Sequence, residues 1–449
     1  MDTPIYSFLT KYRGRKPIRL HMPGHKGIGP LGVEGLDITE VSGADVLYRS
    51  GGIIRESERI CEALFGSGRT VYSTEGSSLS IRCAVALAVR YAKRIGRTPR
   101  ILAARNAHRS FTSAVAMCDP LVDWIFPNEG NLLSTDITPG SLSERLSEYD
   151  EAPIAVYVTA PDYLGNIPNI KEIAGVCHRY GTLLIVDNAH GAYLRFLPED
   201  IHPITLGADI VCDSAHKTLP VLTGGGYLHI SKNATMGIAE EVEDVMAHFA
   251  STSPSYLILA SLDLANAYIK DGYRERLTEC VGTVKRAKEK LSEGGYVLSG
   301  VEPMKITLMT KPYGYRGWEI LDMLSDGGIE AEFADDDYLT LMISAENTSD
   351  EIEAAVKMLL SIPKREPIYE KMPVLPRPER VLSPREAFFA ASEVIALSDA
   401  EGRILSDLQL SCPPAIPIAI CGERIDGAVI SAMKYYGTET VKVVLDKYT

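Results

Sequence analysis

The chain has 449 residues, 46 of them basic and 59 acidic, giving a formal charge of −13 and a pI near 5.3. This is too long for one ordinary core, and 45% hydrophobic against 23% charged residues is the balance of a globular protein. The acidic balance and the lack of a basic stripe argue against a nucleic-acid partner, and no apolar run reaches the ~20 residues of a membrane span.

The N-terminus, Met1-Asp2-Thr3-Pro4 leading into the basic stretch 11–19, carries no apolar signal core. Eight cysteines are scattered with no C-x-x-C pair, so neither a disulfide framework nor a zinc site is expected and a reducing cytoplasm is the default. His21 and His25 have the i, i+4 spacing of a helical metal pair, but Pro23-Gly24 between them rules out a regular helix.

In chain order, residues 1–45 are read as an irregular, Gly-rich arm. Strands are predicted at 70–73, 101–104, 122–126, 154–159, 183–186, 210–212 and 227–230, with helices between them, among others at 80–95 and 168–179, and a further helix at 238–249. Short apolar runs alternating with helical patterns argue for an α/β domain on a mainly parallel sheet, here 46–292, closed by a helical stretch at 257–292. The alternation restarts at 305–310, 317–326 and 338–343 as a smaller α/β domain over 293–365. The prolines between 363 and 384 mark a crossing into a C-terminal domain, 366–449.

Chemistry gathers at the strand ends. Lys217, in Asp213-Ser214-Ala215-His216-Lys217-Thr218, follows a strand and precedes Gly224-Gly225-Gly226, small residues that let the chain pass close to a ligand. Such an amine can form an imine with an aldehyde cofactor, although most lysines lie on the surface. Asp187 ends the apolar run at 183–186, where a carboxylate could keep a pyridine nitrogen protonated; a helix cap is the commoner role for such an Asp. Gly76-Ser77-Ser78 opens a helix, which makes it either a phosphate site or a simple N-cap. His108 could stack on a flat ring, or be an ordinary core or surface histidine.

Together these segments resemble the ornithine/lysine/arginine decarboxylases of pyridoxal-phosphate fold type I, in their shorter bacterial form. The likeness runs almost end to end, through His21-Met22-Pro23-Gly24-His25-Lys26, Gly76-Ser77-Ser78, Asn106-Ala107-His108-Arg109-Ser110, Asp187-Asn188-Ala189-His190-Gly191-Ala192, Ser214-Ala215-His216-Lys217, Thr252-Ser253-Pro254-Ser255-Tyr256 and Pro413-Pro414-Ala415-Ile416-Pro417. The resemblance implies a Schiff base of pyridoxal 5'-phosphate on Lys217, with Asp187 at the ring nitrogen, His108 on the ring and His190 beside it. It also implies phosphate binding by Gly76, Ser77, Ser78, Ser214 and His216, and a homodimer interface at Ser253 that shares the active sites. Glu423 would lie near the distal end of a basic amino-acid substrate.

The chain departs from the family pattern at Glu75 (usually Asn), Asn188 (usually Glu), Ala415 (usually Gly) and Asp162-Tyr163-Leu164-Gly165 (usually Thr-Tyr-Tyr-Gly). Asp162 thereby adds a carboxylate near the expected site. The activity implied is loss of CO2 from arginine, lysine or ornithine to give the amine. The alternatives are transamination or elimination on the same scaffold, or a catalytically silent protein that holds the cofactor.

Overall fold

The computed structural model describes residues 3–127, 133–134, 137–235, 237–408 and 416–445; Pro413-Pro414-Ala415 of the last family-like motif lies outside them. The strands are β1 (Arg69–Ser73), β2 (Arg100–Ala104), β3 (Leu121–Ile125), β4 (Ala155–Thr159), β5 (Leu183–Asp187), β6 (Ile210–Asp213), β7 (Gly226–Ile230), β8 (Val297–Ser299), β9 (Lys305–Met309), β10 (Phe333–Ala334), β11 (Tyr338–Met342), β12 (Ser392–Ala396) and β13 (Thr440–Val444). The chain forms two compact units, Met1–Thr98 with Ile170–Leu277, and Pro99–Asn169 with Thr278–Thr449.

In the first unit the strand order is β1-β7-β6-β5. β5 and β6 are parallel, whereas β7 runs antiparallel to β6 and β1 antiparallel to β7. The reversal has a local cause. The connection 214–225 holds only the four-residue helix Ala215–Thr218 and a glycine turn, not the longer helix that usually carries a parallel crossover. β1, β5 and β7 are buried at every residue, and β5, Leu183–Asp187, reads as an apolar run rather than an alternation.

Helix Gly76–Arg94 starts four residues earlier than its apolar pattern suggests, which places Gly76, Ser77 and Ser78 in its first turn. The expected arm begins with a helix, Pro4–Gly14, whose Ile5 and Leu9 are fully buried. Its Tyr6 N–H is held by the Asp263 carboxylate at 3.0 Å. The predicted helical stretch 257–292 is two helices, Tyr256–Lys270 and Tyr273–Glu293. The break falls at Asp271-Gly272, where Gly272 adopts a left-handed φ of +71°.

In the second unit β2 pairs in parallel with both β3 and β4. A separate antiparallel sheet has the order β10-β11-β9-β8, and β12 pairs with β13. Capping boxes start three of its helices, at Thr138/Ser141, Thr348/Glu351 and Ser383/Glu386. One apolar cluster joins Phe333 and Tyr338 of the four-stranded sheet to Leu397, Ile418, Val429, Met433 and Val443 of the C-terminal segment.

Candidate active site

The lysine-bearing turn is built by close backbone approach. His216 N–H donates to Gly225 O at 3.1 Å, and Gly76 N–H donates to Gly224 O at 2.7 Å. A Cβ on Gly226 would stand 2.9 Å from Asp213 O and 3.1 Å from the Gly76 carbonyl carbon, so only glycine lets these three segments meet. Ser214 Oγ then reaches Ser77 Oγ at 2.8 Å, joining the turn after β6 to the first turn of helix Gly76–Arg94.

No side chain caps that helix at its N-cap, Glu75. The Glu75 carboxylate accepts the Ser251 N–H at 2.7 Å instead, beside the exposed Ser253. An uncapped helix start flanked by two hydroxyls is a natural seat for a phosphate dianion.

Lys217 is half-buried, and its Nζ lies 3.0 Å from Nε2 of His190, itself 5% exposed. A neutral imidazole at that distance can accept the proton an ammonium must shed before it becomes a nucleophile. Burial and the neighbouring Lys217 both push the pKa of His216 down. Asp187, 2% exposed, is the last residue of β5 and stands opposite Cys212 in the register with β6. One of its oxygens accepts the Ala189 N–H at 3.2 Å. The first unit thus brings together Gly76, Ser77, Ser214, His216, Lys217 and His190. A buried carboxylate, a partly buried amine and a phosphate seat are the donor set that pyridoxal phosphate requires, so these residues fit it.

His108, Asp162 and Glu423 belong to the second unit. His108 is the N-cap of helix Arg109–Cys118, and its Nδ1 accepts the Ser110 N–H at 3.1 Å, which leaves the ring proton on Nε2. Asp162 is fully buried and accepts both the backbone N–H (2.8 Å) and the side-chain amide (3.0 Å) of Asn166. Glu423 is 4% exposed; it accepts the Ile420 N–H at 2.7 Å and pairs with Arg105 at 3.3 Å. Arg105 also donates to Pro417 O and Ile418 O at 2.8 and 3.1 Å, and lies against the Trp124 and Phe126 rings. Both acids are therefore engaged by internal partners.

A buried group to which the sequence reading gives no role is Asp213, with His202, His229 and Asn188 around it. Its signal was present: Asp213 closes the apolar run of β6 as Asp187 closes that of β5. Burial would raise its pKa, but the two histidines outweigh that and hold it well below the usual carboxylate range.

Among solved structures, the chain is similar to lysine decarboxylase A from Pseudomonas aeruginosa, with a TM-score of 0.82 at 18% identity, covering 98% of this chain and 80% of that one. A Sphingomonas wittichii serine palmitoyltransferase is a more distant neighbour, at TM-score 0.55 and 15% identity over 69% of this chain and 75% of that one. The architecture is accordingly the α/β fold of pyridoxal-phosphate enzymes of fold type I. The sequence matches the model of the Orn/Lys/Arg decarboxylase major domain over residues 3–320 and that of the Orn/Lys/Arg decarboxylase C-terminal domain over 368–440. An arginine decarboxylase of Bacillus subtilis is 30% identical across 96% of this chain and 92% of its own length. An arginine decarboxylase of Halalkalibacterium halodurans is 28% identical across 94% and 91%. The chain belongs to the Orn/Lys/Arg decarboxylase family.

Proposed function

We propose that this protein is a pyridoxal-phosphate-dependent decarboxylase of a basic amino acid, arginine before lysine or ornithine. The observation that carries this reading is the Lys217 amine 3.0 Å from His190, in the same unit as the Asp187 strand end and an uncapped helix start. Arginine comes first because relatives matched over nearly their whole length bear that name, whereas the Escherichia coli constitutive lysine decarboxylase matches only 49% of this chain.

When bound, pyridoxal phosphate supplies an electron sink for the pair left behind by departing CO2. Lys217 supplies the amine that anchors the cofactor, and His190 takes and returns the proton on Nζ. Asp187, held in a dry strand end, favours a protonated ring nitrogen. Ser77, Ser78 and Ser214 receive the phosphate at the helix start that Gly76 opens, with His216 alongside. His108, its proton on Nε2, is assigned to the face of the ring. The returning Lys217 ammonium or His190 would deliver a proton to the substrate's α-carbon.

The protein is proposed to work in the cytoplasm as a homodimer with shared sites. Among the described residues no helix is long and apolar enough to cross a membrane. The exposed Ile18, Leu20, Ile28 and Leu31 of the N-terminal stretch are side chains that a second copy would cover. Incubation with pyridoxal phosphate should produce visible imine absorbance, and borohydride trapping followed by peptide mapping should mark Lys217. Arginine, lysine and ornithine are then compared for CO2 and amine against keto acid. Keto acid as the main product would replace decarboxylation with transamination.

A further inference from the structure

The cluster around Asp213 has no part in the chemistry above, yet it connects two of the residues that do. Asp213 ends β6 directly before Ser214 and the Lys217 turn, and Asn188 directly follows Asp187. Asp213 Oδ1 accepts from Asn188 Nδ2 at 2.7 Å, while Oδ2 lies 3.0 Å from His202 Nε2 and 3.3 Å from His229 Nε2. All four side chains are fully buried.

The donors can be oriented. Ile204 N–H donates to His202 Nδ1 at 3.3 Å, so the His202 proton sits on Nε2 and faces Asp213. Ser67, Thr70 and His229 Nδ1 are linked at 2.7 Å each, and a Thr70 hydroxyl donating to His229 leaves its Nε2 proton facing Asp213 as well. One carboxylate therefore collects N–H groups from an amide and one imidazole, with a second imidazole nitrogen 3.3 Å away. Three buried ligand-type residues invite a metal, but the geometry speaks against one. A coordinating His202 would present a bare Nε2 and carry its proton on Nδ1, where the Ile204 N–H already points.

Residue 188 also explains one departure from the family pattern. A Glu there would set a second carboxylate against Asp213, whereas an amide donates to it. We propose that the Asn188–Asp213 hydrogen bond is a positioning link: it holds the Asp187 strand end and the Ser214–Lys217 turn in the mutual placement that the cofactor needs. The inference rests on the pyridoxal-phosphate reading above.

Three variants test it, read by the dissociation constant for pyridoxal phosphate and by the visible circular dichroism of the bound cofactor, with apoprotein melting followed alongside. Asn188→Asp opposes two carboxylates and should weaken binding tenfold or more and shrink the dichroic band. The double variant Asn188→Asp/Asp213→Asn reverses the polarity of the bond; the new amide still offers its oxygen to both imidazoles. It should recover binding to within a few-fold of the parent. Should Asn188→Asp fail to fold, Asn188→Ala, which removes only the donor, should still weaken binding several-fold. Parent-like affinity and dichroism in folded Asn188→Asp or Asn188→Ala would overturn the link, as would a double variant no better than Asn188→Asp. A parent protein that forms no imine would instead overturn the cofactor reading itself, so the two failures are told apart.

Discussion

Two buried carboxylates, one in each unit, are held in opposite ways. Asp213 in the first unit is met by N–H groups from two separate segments, at Asn188 and His202, with the His229 imidazole 3.3 Å away. Glu423 in the second is met by a buried guanidinium, Arg105, that also grips two backbone carbonyls of the C-terminal segment. Burial still pushes the Glu423 pKa up despite Arg105. The first arrangement aligns strand ends that carry reactive groups, whereas the second ties a distant piece of chain to β2. An acid's position in a family motif thus does not say whether it faces a ligand or a neighbour, because the partners decide that.

The largest expected effect separates the two units most sharply. Lys217→Ala should abolish imine absorbance and cut CO2 release by about 10³-fold or more, with thermal stability little changed. Asp187→Asn should keep the fold and lose activity by a similar order. Residual activity close to the parent's in both variants would remove the first unit's claim to the chemistry.

Glu423→Gln should behave in the opposite way. It leaves the Arg105 charge buried without its carboxylate, a loss of about 3–5 kcal/mol that denaturant titration would detect, while the affinity for pyridoxal phosphate stays near the parent's. If instead stability held and only the Michaelis constant for the amino acid rose, Glu423 would be a substrate contact after all.

A pH titration sharpens the comparison further. Burial raises the pKa of Asp263, the anchor of the N-terminal helix, from 3.8 to about 6. The folded state therefore holds that proton more tightly than the unfolded chain. Its stabilising contribution is complete below 3.8 and is lost as pH rises through 6, a swing of up to about 3 kcal/mol. Asp263→Asn should gain relative to the parent as pH increases from 4 to 8, measured as the difference between their melting temperatures. A difference independent of pH would mean that the carboxyl titrates normally.

The smallest effect is expected at Gly226→Ala. The added methyl meets Asp213 O at 2.9 Å and displaces the Gly76 turn, at a cost of roughly 1–3 kcal/mol, with weaker phosphate binding measured by competition with inorganic phosphate. Unchanged competition would show that the turn tolerates the shift.

Much of the first unit was legible in advance. β1, β5, β6 and β7 are short, wholly buried strands, and β5 and β6 appear as apolar runs closed by an Asp. Lys217 and Asp187 stand out as charged residues that end or follow such runs. The start of helix Gly76–Arg94 was misplaced because its first turn is polar and packs against a glycine turn far along the chain. The helix Pro4–Gly14 was missed because only Ile5 and Leu9 of its residues are buried, too few to show a period. The partners of Asp162 and Glu423 were not legible, because motif position carries no record of Asn166 or Arg105.

Sequence alone determined the α/β alternation, the lysine and acid at strand ends, and the glycines that bring them close, because burial, backbone sterics and charge act through local composition. Only the tertiary structure decided how each buried acid is used. A carboxylate's role depends on which donors reach it, and those at 188 and 202, or at 105 and 420, come from segments that meet only after folding.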